Sequence, residues 1–192
     1  MKNPSIVMLR RNLKHIARNP TSVFNAVLMP VVVMLMFVYM LGDAFSVGVP
    51  YVDYATPGML LLAVCYGLGA VATAVNSDMT KGIINRFKVM DVARSAVLTG
   101  YVAATVVTNL IAVTAIIGTA FLLGFRSSAG FLDWLGVLGI VLLTAVALAW
   151  FTVAVGLAAK SPETAGLGTV PLIMLPFFSS AIVPAEDRKS VV

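Results

Sequence analysis

The chain is poor in charge, in cysteine and in histidine. Only 11% of its 192 residues are charged, whereas a soluble domain carries roughly 25%. The lone cysteine, Cys65, excludes an intrachain disulfide. The lone histidine, His15, leaves zinc proteases without ligands and histidine-dependent serine proteases without a base. These absences exclude most classes of soluble enzyme.

Apolar residues fill the space that charge leaves. They make up 60% of the chain and give it a mean hydropathy of +1.00. Five continuous apolar runs approach or exceed the roughly 20 residues that a membrane-spanning helix needs. The runs cover 22–41, 56–77, 96–123, 131–159 and 164–183. Because they are continuous rather than alternating, they predict an all-α integral membrane protein of about five transmembrane helices, forming one domain over 1–192.

The basic residues predict the orientation of these helices. Ten of the thirteen Lys and Arg residues lie before the first run, after the second or after the fourth. Cytoplasmic loops carry such an excess, so we expect a multi-pass protein of the cell membrane with a cytoplasmic N-terminus. The same placement explains the net charge of +5 by topology, and a nucleic-acid partner is not expected.

The first twenty residues, 1–20, are not apolar enough to span. Ile6, Leu9, Leu13 and Ile16 recur at helical spacing, and basic residues cover much of the remaining surface. This pattern predicts an amphipathic helix at the cytoplasmic lipid interface, ending before Pro20. A plain basic topology tail is the alternative.

The segment 78–95, between the second and third runs, has a second amphipathic pattern. Ile83, Phe87 and Met90 share one helical face, and basic residues surround it. A short cytoplasmic helix of this kind can bury its apolar face in lipid, against its own spans, or in a groove on a soluble partner. Periodicity alone leaves these three alternatives open.

Residues inside the runs suggest packing more than chemistry. Four of the five runs hold no ionisable residue in their interior, which disfavours a proton or ion path. Uncharged polar residues are expected to form interhelical hydrogen bonds: Asn25, Thr105, Thr108, Asn109, Thr114, Thr144 and Thr152. Glycines are expected to allow close helix packing at Gly67, Gly69, Gly118, Gly136 and Gly139. Prolines are expected to kink their helices at Pro30, Pro171 and Pro176.

Four short motifs follow one another along nearly the whole chain: Arg18-Asn19-Pro20, Tyr54-Ala55-Thr56-Pro57-Gly58, Lys81-Gly82-Ile83-Ile84-Asn85-Arg86-Phe87 and Phe178-Ser179-Ser180-Ala181-Ile182-Val183-Pro184. In residues and order they resemble the type-2 ATP-binding-cassette (ABC) exporter permeases, in particular the daunorubicin-resistance-like drug exporters. Met79-Thr80 departs from the family, which usually has an acidic residue before Lys-Gly. The family normally has six spans, so the resemblance also implies a C-terminally truncated chain.

The resemblance implies a permease that is not itself an enzyme. It would bind no cofactor, while a separate cytoplasmic ATPase subunit binds ATP and magnesium. The substrate would be a lipophilic drug, polyketide or lipid-like molecule, and a second permease copy or a paralogue would complete a dimer within membrane lipids. ATPase coupling would fall to Lys81, Gly82, Ile83, Arg86, Phe87 and Met90.

Two assignments remain from the sequence. Asn109, Pro171 and Pro176 are the candidates for the substrate path, with the two prolines as a hinge. The alternative to an exporter is a non-transporting membrane scaffold or accessory subunit. The absence of a G-x-x-x-x-G-K-[ST] phosphate loop fits either hypothesis, because neither requires this chain to hydrolyse ATP.

Overall fold

A computed structural model describes residues 20–41, 51–81, 94–126 and 130–178. All regular structure in these ranges is α-helical: α1 Pro20–Leu41, α2 Tyr51–Tyr66, α3 Leu68–Thr80, α4 Arg94–Leu122, α5 Phe131–Ala158, α6 Pro162–Leu167 and α7 Val170–Phe178. The predicted all-α membrane fold is confirmed. The expected N-terminal amphipathic helix lies outside the described residues, as does the expected coupling helix beyond Lys81.

Among the residues that the structure describes, three helical stretches are long and apolar enough to cross a bilayer: Tyr51–Thr80, Val97–Leu122 and Phe131–Ala158. A shorter apolar stretch, Ala26–Met40, lies within α1. The second predicted run corresponds to α2 and α3 together, with a turn at Gly67 between them. A β-carbon at Gly67 would lie 3.7 Å from the β-carbon of Ala26. The turn therefore lies directly against α1.

The fifth predicted run, 164–183, is not one helix over its described part. It contains α6 and α7, which are separated at Gly168 and Thr169. Ser161 caps α6, because its side-chain oxygen accepts a hydrogen bond from the Thr164 backbone N–H at 3.3 Å. A β-carbon at Gly168 would come within 2.8 Å of Val155 Cγ1, so this bend needs a glycine.

The α2–α3 crossing lies at the centre of the bundle. α2 packs against α1, α4, α5 and α7, while α3 packs mainly against α5 and α6. Met34 of α1, Met59 and Leu62 of α2, and Ile116 of α4 are fully or almost fully buried. Lipid tails are as apolar as these side chains, so close packing, rather than exclusion of water, holds the helices together.

Most of the glycines expected to allow close helix packing do not lie at the close contacts between helices. Within the described protomer, a β-carbon at Gly118, Gly136 or Gly139 would meet nothing within 4 Å, so these three glycines form no close helix contact inside the protomer. At Gly156 of α5, a β-carbon would lie 2.8 Å from the Ala72 carbonyl oxygen of α3. At this point the backbone of α5 lies directly against the backbone of α3.

Candidate functional site

The ends of α3 and α5 and the beginning of α4 meet at one end of the bundle. Lys81 follows α3 and Lys160 follows α5, and both side chains are exposed. We name this the basic end. The Tyr101 hydroxyl of α4 donates a hydrogen bond to the Asp78 carboxylate of α3. This bond joins the last turn of α3 to α4.

Lys81 is the one predicted coupling residue that the described ranges include. Its backbone N–H donates to the Ser77 carbonyl at 3.0 Å, which completes the last turn of α3, and its side chain is exposed. The remaining candidates, Gly82, Ile83, Arg86, Phe87 and Met90, lie outside the described residues. The structure therefore shows what leads into this segment, namely an unbroken α3, but not its contacts.

Asn76, one turn before Lys81, joins α3 to the end of α5. Its Nδ2 donates to the Gly156 carbonyl at 3.0 Å and to the Ala159 carbonyl at 2.7 Å. The last carbonyls of a helix have no partner within that helix. Asn76 therefore acts as a C-terminal cap that α3 supplies to α5. Asn76 is 3% exposed; its bond to Gly156 is buried, and its bond to Ala159 is partly buried.

Thr73 makes a second connection on the same face of α3. Its hydroxyl donates to the Pro162 carbonyl at the start of α6, at 3.1 Å. A β-carbon at Gly166 would lie 3.0 Å from that hydroxyl oxygen, so a glycine at this position favours the close approach of α6. We use the name polar clamp for Thr73 and Asn76 with their carbonyl acceptors on Gly156, Ala159 and Pro162.

Four of the five threonines singled out from the sequence do not provide such connections. Their hydroxyl groups donate to the carbonyl four residues earlier in their own helix: Thr105, Thr108, Thr114 and Thr152. The prediction that these bond between helices is therefore wrong. Sequence reasoning missed Asn76 and Thr73. The spacing of Gly69, Ala72, Thr73 and Asn76 on one helical face could have indicated a close packing surface.

The three substrate-path candidates lie in different surroundings. Asn109 is 2% exposed, and its Oδ1 is 3.9 Å from where a β-carbon of Gly67 would be. Its Nδ2 has no hydrogen-bond partner among the described residues. Pro171 is exposed in the first turn of α7, whereas Pro176 is buried near the end of that helix. Asn109 thus faces the protomer interior at the α2–α3 turn.

A shallow groove of about 480 Å³ runs along α4. It is lined by Val107, Leu110, Ile111, Thr114 and Ala115. Asn109 is two residues from Val107 and from Ile111, which places it on roughly the opposite side of a helix with 3.6 residues per turn. The groove is thus lined mainly by apolar side chains, and the buried amide of Asn109 is not part of it. In the described ranges, no three His, Cys, Asp or Glu side chains lie together as a metal site would require.

Comparison with known proteins gives a consistent family. Residues 5–189 match the ABC-2 type transporter family. The chain is 30% identical over 169 residues to the daunorubicin resistance ABC transporter permease protein of Streptomyces coeruleorubidus, covering 87% of this chain and 60% of that protein. It is 26% identical over 191 residues to the probable doxorubicin resistance ABC transporter permease protein of Mycobacterium tuberculosis, covering 95% of this chain and 67% of that protein. No solved structure matches significantly.

Proposed function

Because the chain belongs to the ABC-2 type transporter family, we propose that it is a membrane-spanning permease subunit of an ATP-driven exporter. A separate cytoplasmic ATPase subunit binds ATP and magnesium and hydrolyses the nucleotide. The cargo is a lipophilic drug, polyketide or lipid-like molecule that leaves the cell. Supporting this, the similar proteins carry names that record resistance to daunorubicin and doxorubicin.

One structural observation carries the proposal furthest. α3 is continuous to Thr80 and ends in the exposed Lys81, directly before the amphipathic segment that contains Phe87. An ATPase bound to that segment would therefore act on a helix that is already anchored in the bundle. Positive-inside topology supports a cytoplasmic basic end and a cytoplasmic N-terminus in the cell membrane.

The surface of the bundle fits a lipid environment and a second permease. On α5, the side chains of Leu132, Ile140 and Leu143 are 81%, 68% and 74% exposed. Such side chains are stable only against lipid tails or another apolar helix. We propose that lipids cover part of this surface and that a second copy or a paralogue covers another part.

Asn109 remains our proposed substrate-path residue. Its Nδ2 is a buried donor without a partner in the described ranges, and leaving a buried donor unpaired costs about 1–3 kcal/mol. If the α2–α3 turn at Gly67 moved away from Asn109, a carbonyl or hydroxyl oxygen of a lipophilic cargo would accept a hydrogen bond from this Nδ2. The proposed role of Pro171, at the start of α7, and of Pro176, inside that helix, is to form a hinge during that movement.

Replacing Phe87 by Asp tests ATPase coupling. The proposal places Phe87 in an apolar groove of the ATPase, so a carboxylate there should reduce co-purification of the ATPase by about tenfold or more. The measurement is recovery of the ATPase with affinity-tagged permease from membranes in which both are expressed.

Val89→Asp is the matched control, because helical spacing predicts that it adds the same charge on a different face of the segment from Phe87. It should leave co-purification within about twofold, since that face is the polar one. Equal recovery of the ATPase with Phe87→Asp and the unaltered chain would overturn the coupling assignment. Equal loss with both variants would show that charge, rather than the Phe87 face, determines binding.

A further inference from the structure

We propose that Asn76 is a positioning residue that makes α5 follow the movement of α3. This inference rests on the proposed function, because the ATPase bound beyond Lys81 supplies the movement. The polar clamp then defines which transmembrane helix receives that movement first.

The two hydrogen bonds of Asn76 fix one helix end to the other. Both protons of Nδ2 are used, at 3.0 Å to Gly156 and 2.7 Å to Ala159. Two bonds from one planar amide restrict rotation as well as separation. Asn76 and Lys81 are five residues apart on an unbroken helix, or about 7.5 Å along its axis. A displacement of Lys81 therefore displaces Asn76 by a similar amount.

The packing around the clamp leaves no space for α3 to slide over α5. A β-carbon at Gly156 would lie 2.8 Å from the Ala72 carbonyl oxygen and 3.0 Å from Val75 Cβ. The backbones of the two helices are thus in direct contact. Thr73 adds a bond to Pro162 on the next helix. Close-packed contacts of this kind transmit displacement rather than absorb it.

The other neighbours of α3 and α5 allow them to move together. The turn at Gly67 separates α3 from α2, so α3 can change its angle without carrying the whole of α2. Only 22% of the most apolar part of α5 is buried, and besides α3 its main neighbour is α4. Movement of α3 is therefore expected to pass through the clamp to α5.

A purely stabilising clamp predicts a different outcome. In that case, loss of Asn76 lowers the amount of folded protein, and each molecule that folds moves normally. In our proposal, the molecules that fold without the Nδ2 donors still bind the ATPase, but α5 no longer follows α3. The distinction requires a measurement on folded complexes.

Distances between spin labels provide that measurement without knowledge of the cargo. One pair joins Thr80 of α3 to Leu157 of α5, and the other joins Phe24 of α1 to Leu157; all three side chains are exposed. The sample is the full permease–ATPase complex in lipid nanodiscs, with Cys65→Ala to remove the native thiol. Distances are compared between the nucleotide-free complex and the complex with ATP, magnesium and vanadate.

In the unaltered clamp, we expect ATP to change the Phe24–Leu157 distance by about 2 Å or more and to leave the Thr80–Leu157 distance unchanged. Asn76→Asp keeps the shape of the side chain but removes both donors and sets a carboxylate against two carbonyls. In this variant we expect ATP to change the Thr80–Leu157 distance and to leave the Phe24–Leu157 distance unchanged, with the ATPase still bound. Asn76→Ala removes the donors without adding charge and provides the same test if the Asp variant is not recovered.

Thr152→Val is the matched control, because the Thr152 hydroxyl is buried on α5 but donates to Leu148 of its own helix at 2.7 Å. It should behave like the unaltered chain. The proposal is overturned if ATP changes the Thr80–Leu157 distance in the unaltered chain, or if folded Asn76 variants keep the normal pattern. Failure of the unaltered chain to bind the ATPase would instead overturn the proposed function, and this inference with it.

Discussion

The Tyr51–Thr80 and Phe131–Ala158 crossings have similar lengths, 30 and 28 residues, and similar hydropathies, 2.0 and 2.4. Their surroundings differ. Within the most apolar 18-residue stretch of each helix, 56% is buried in the bundle for the first crossing but only 22% for the second. Hydropathy therefore predicts that each helix spans, but it does not predict which helix lies at the centre.

Small and polar side chains account for the difference. α3 presents Ala72, Thr73 and Asn76 to its neighbours, which allows backbone contact and hydrogen bonds to carbonyl groups. Most of α5 presents large side chains such as Leu143 outward. In lipid, a large apolar side chain has no preference for protein over lipid tails. Close contact between helix backbones, in contrast, favours association of the helices.

The largest expected effect is at Leu62 of α2, which is 1% exposed. Leu62→Ala should lower the free energy of unfolding by about 2–5 kcal/mol, because the cavity cannot be filled by lipid. Leu143→Ala is the matched control on α5, where the side chain is 74% exposed, and should change it by less than about 0.5 kcal/mol. Unfolding in mixed micelles, followed by circular dichroism, provides both values.

An equal loss at the two leucines would break the comparison between the central and outer crossings. It would mean that the outward face of α5 is packed against protein in the assembled complex. If Leu62→Ala lowered the free energy of unfolding only slightly, that result by itself would contradict the burial of Leu62 in the core.

A smaller effect is expected where α3 meets α5. Gly156→Leu should cost about 1–3 kcal/mol, because its first side-chain atom would lie 2.8 Å from the Ala72 carbonyl oxygen and the helices must separate. Gly139→Leu is the control on the same helix, where a β-carbon meets nothing within 4 Å. The thermal midpoint of the protein in detergent, measured by size-exclusion recovery after heating, should fall only for Gly156→Leu.

If Gly139→Leu lowers the midpoint as much as Gly156→Leu, the close contact is not what distinguishes the two positions. A partner helix would then cover Gly139 in the purified protein. That result would sharpen the comparison by identifying the covered face of α5.

Much of the fold could be predicted from the sequence, because apolar runs directly indicate helices that cross a membrane. The α4 and α5 helices illustrate this, since a continuous apolar run produces one continuous helix. Breaks within a run are harder to predict. Helices are interrupted at Gly67, which lies against Ala26, and at Gly168, where a β-carbon would come within 2.8 Å of Val155; a sequence does not contain those contacts.

The polar clamp was missed for a related reason. Asn76 lies near the end of an apolar run, where an isolated amide is usually taken as solvated. Its role depends on the Gly156 and Ala159 carbonyls, which are 80 and more residues away. Asn109 was recognised because it lies in the middle of a run, where an amide is unusual.

The sidedness of the basic end tests the account most directly. Single cysteines at Lys81 and Arg126, both exposed, are introduced with Cys65→Ala and treated with a membrane-impermeant maleimide. The account predicts that Lys81→Cys is labelled in inside-out vesicles but not in intact cells, and that Arg126→Cys shows the reverse. Labelling of Lys81→Cys from outside intact cells would contradict it, because no cytoplasmic ATPase could then reach the segment that follows α3.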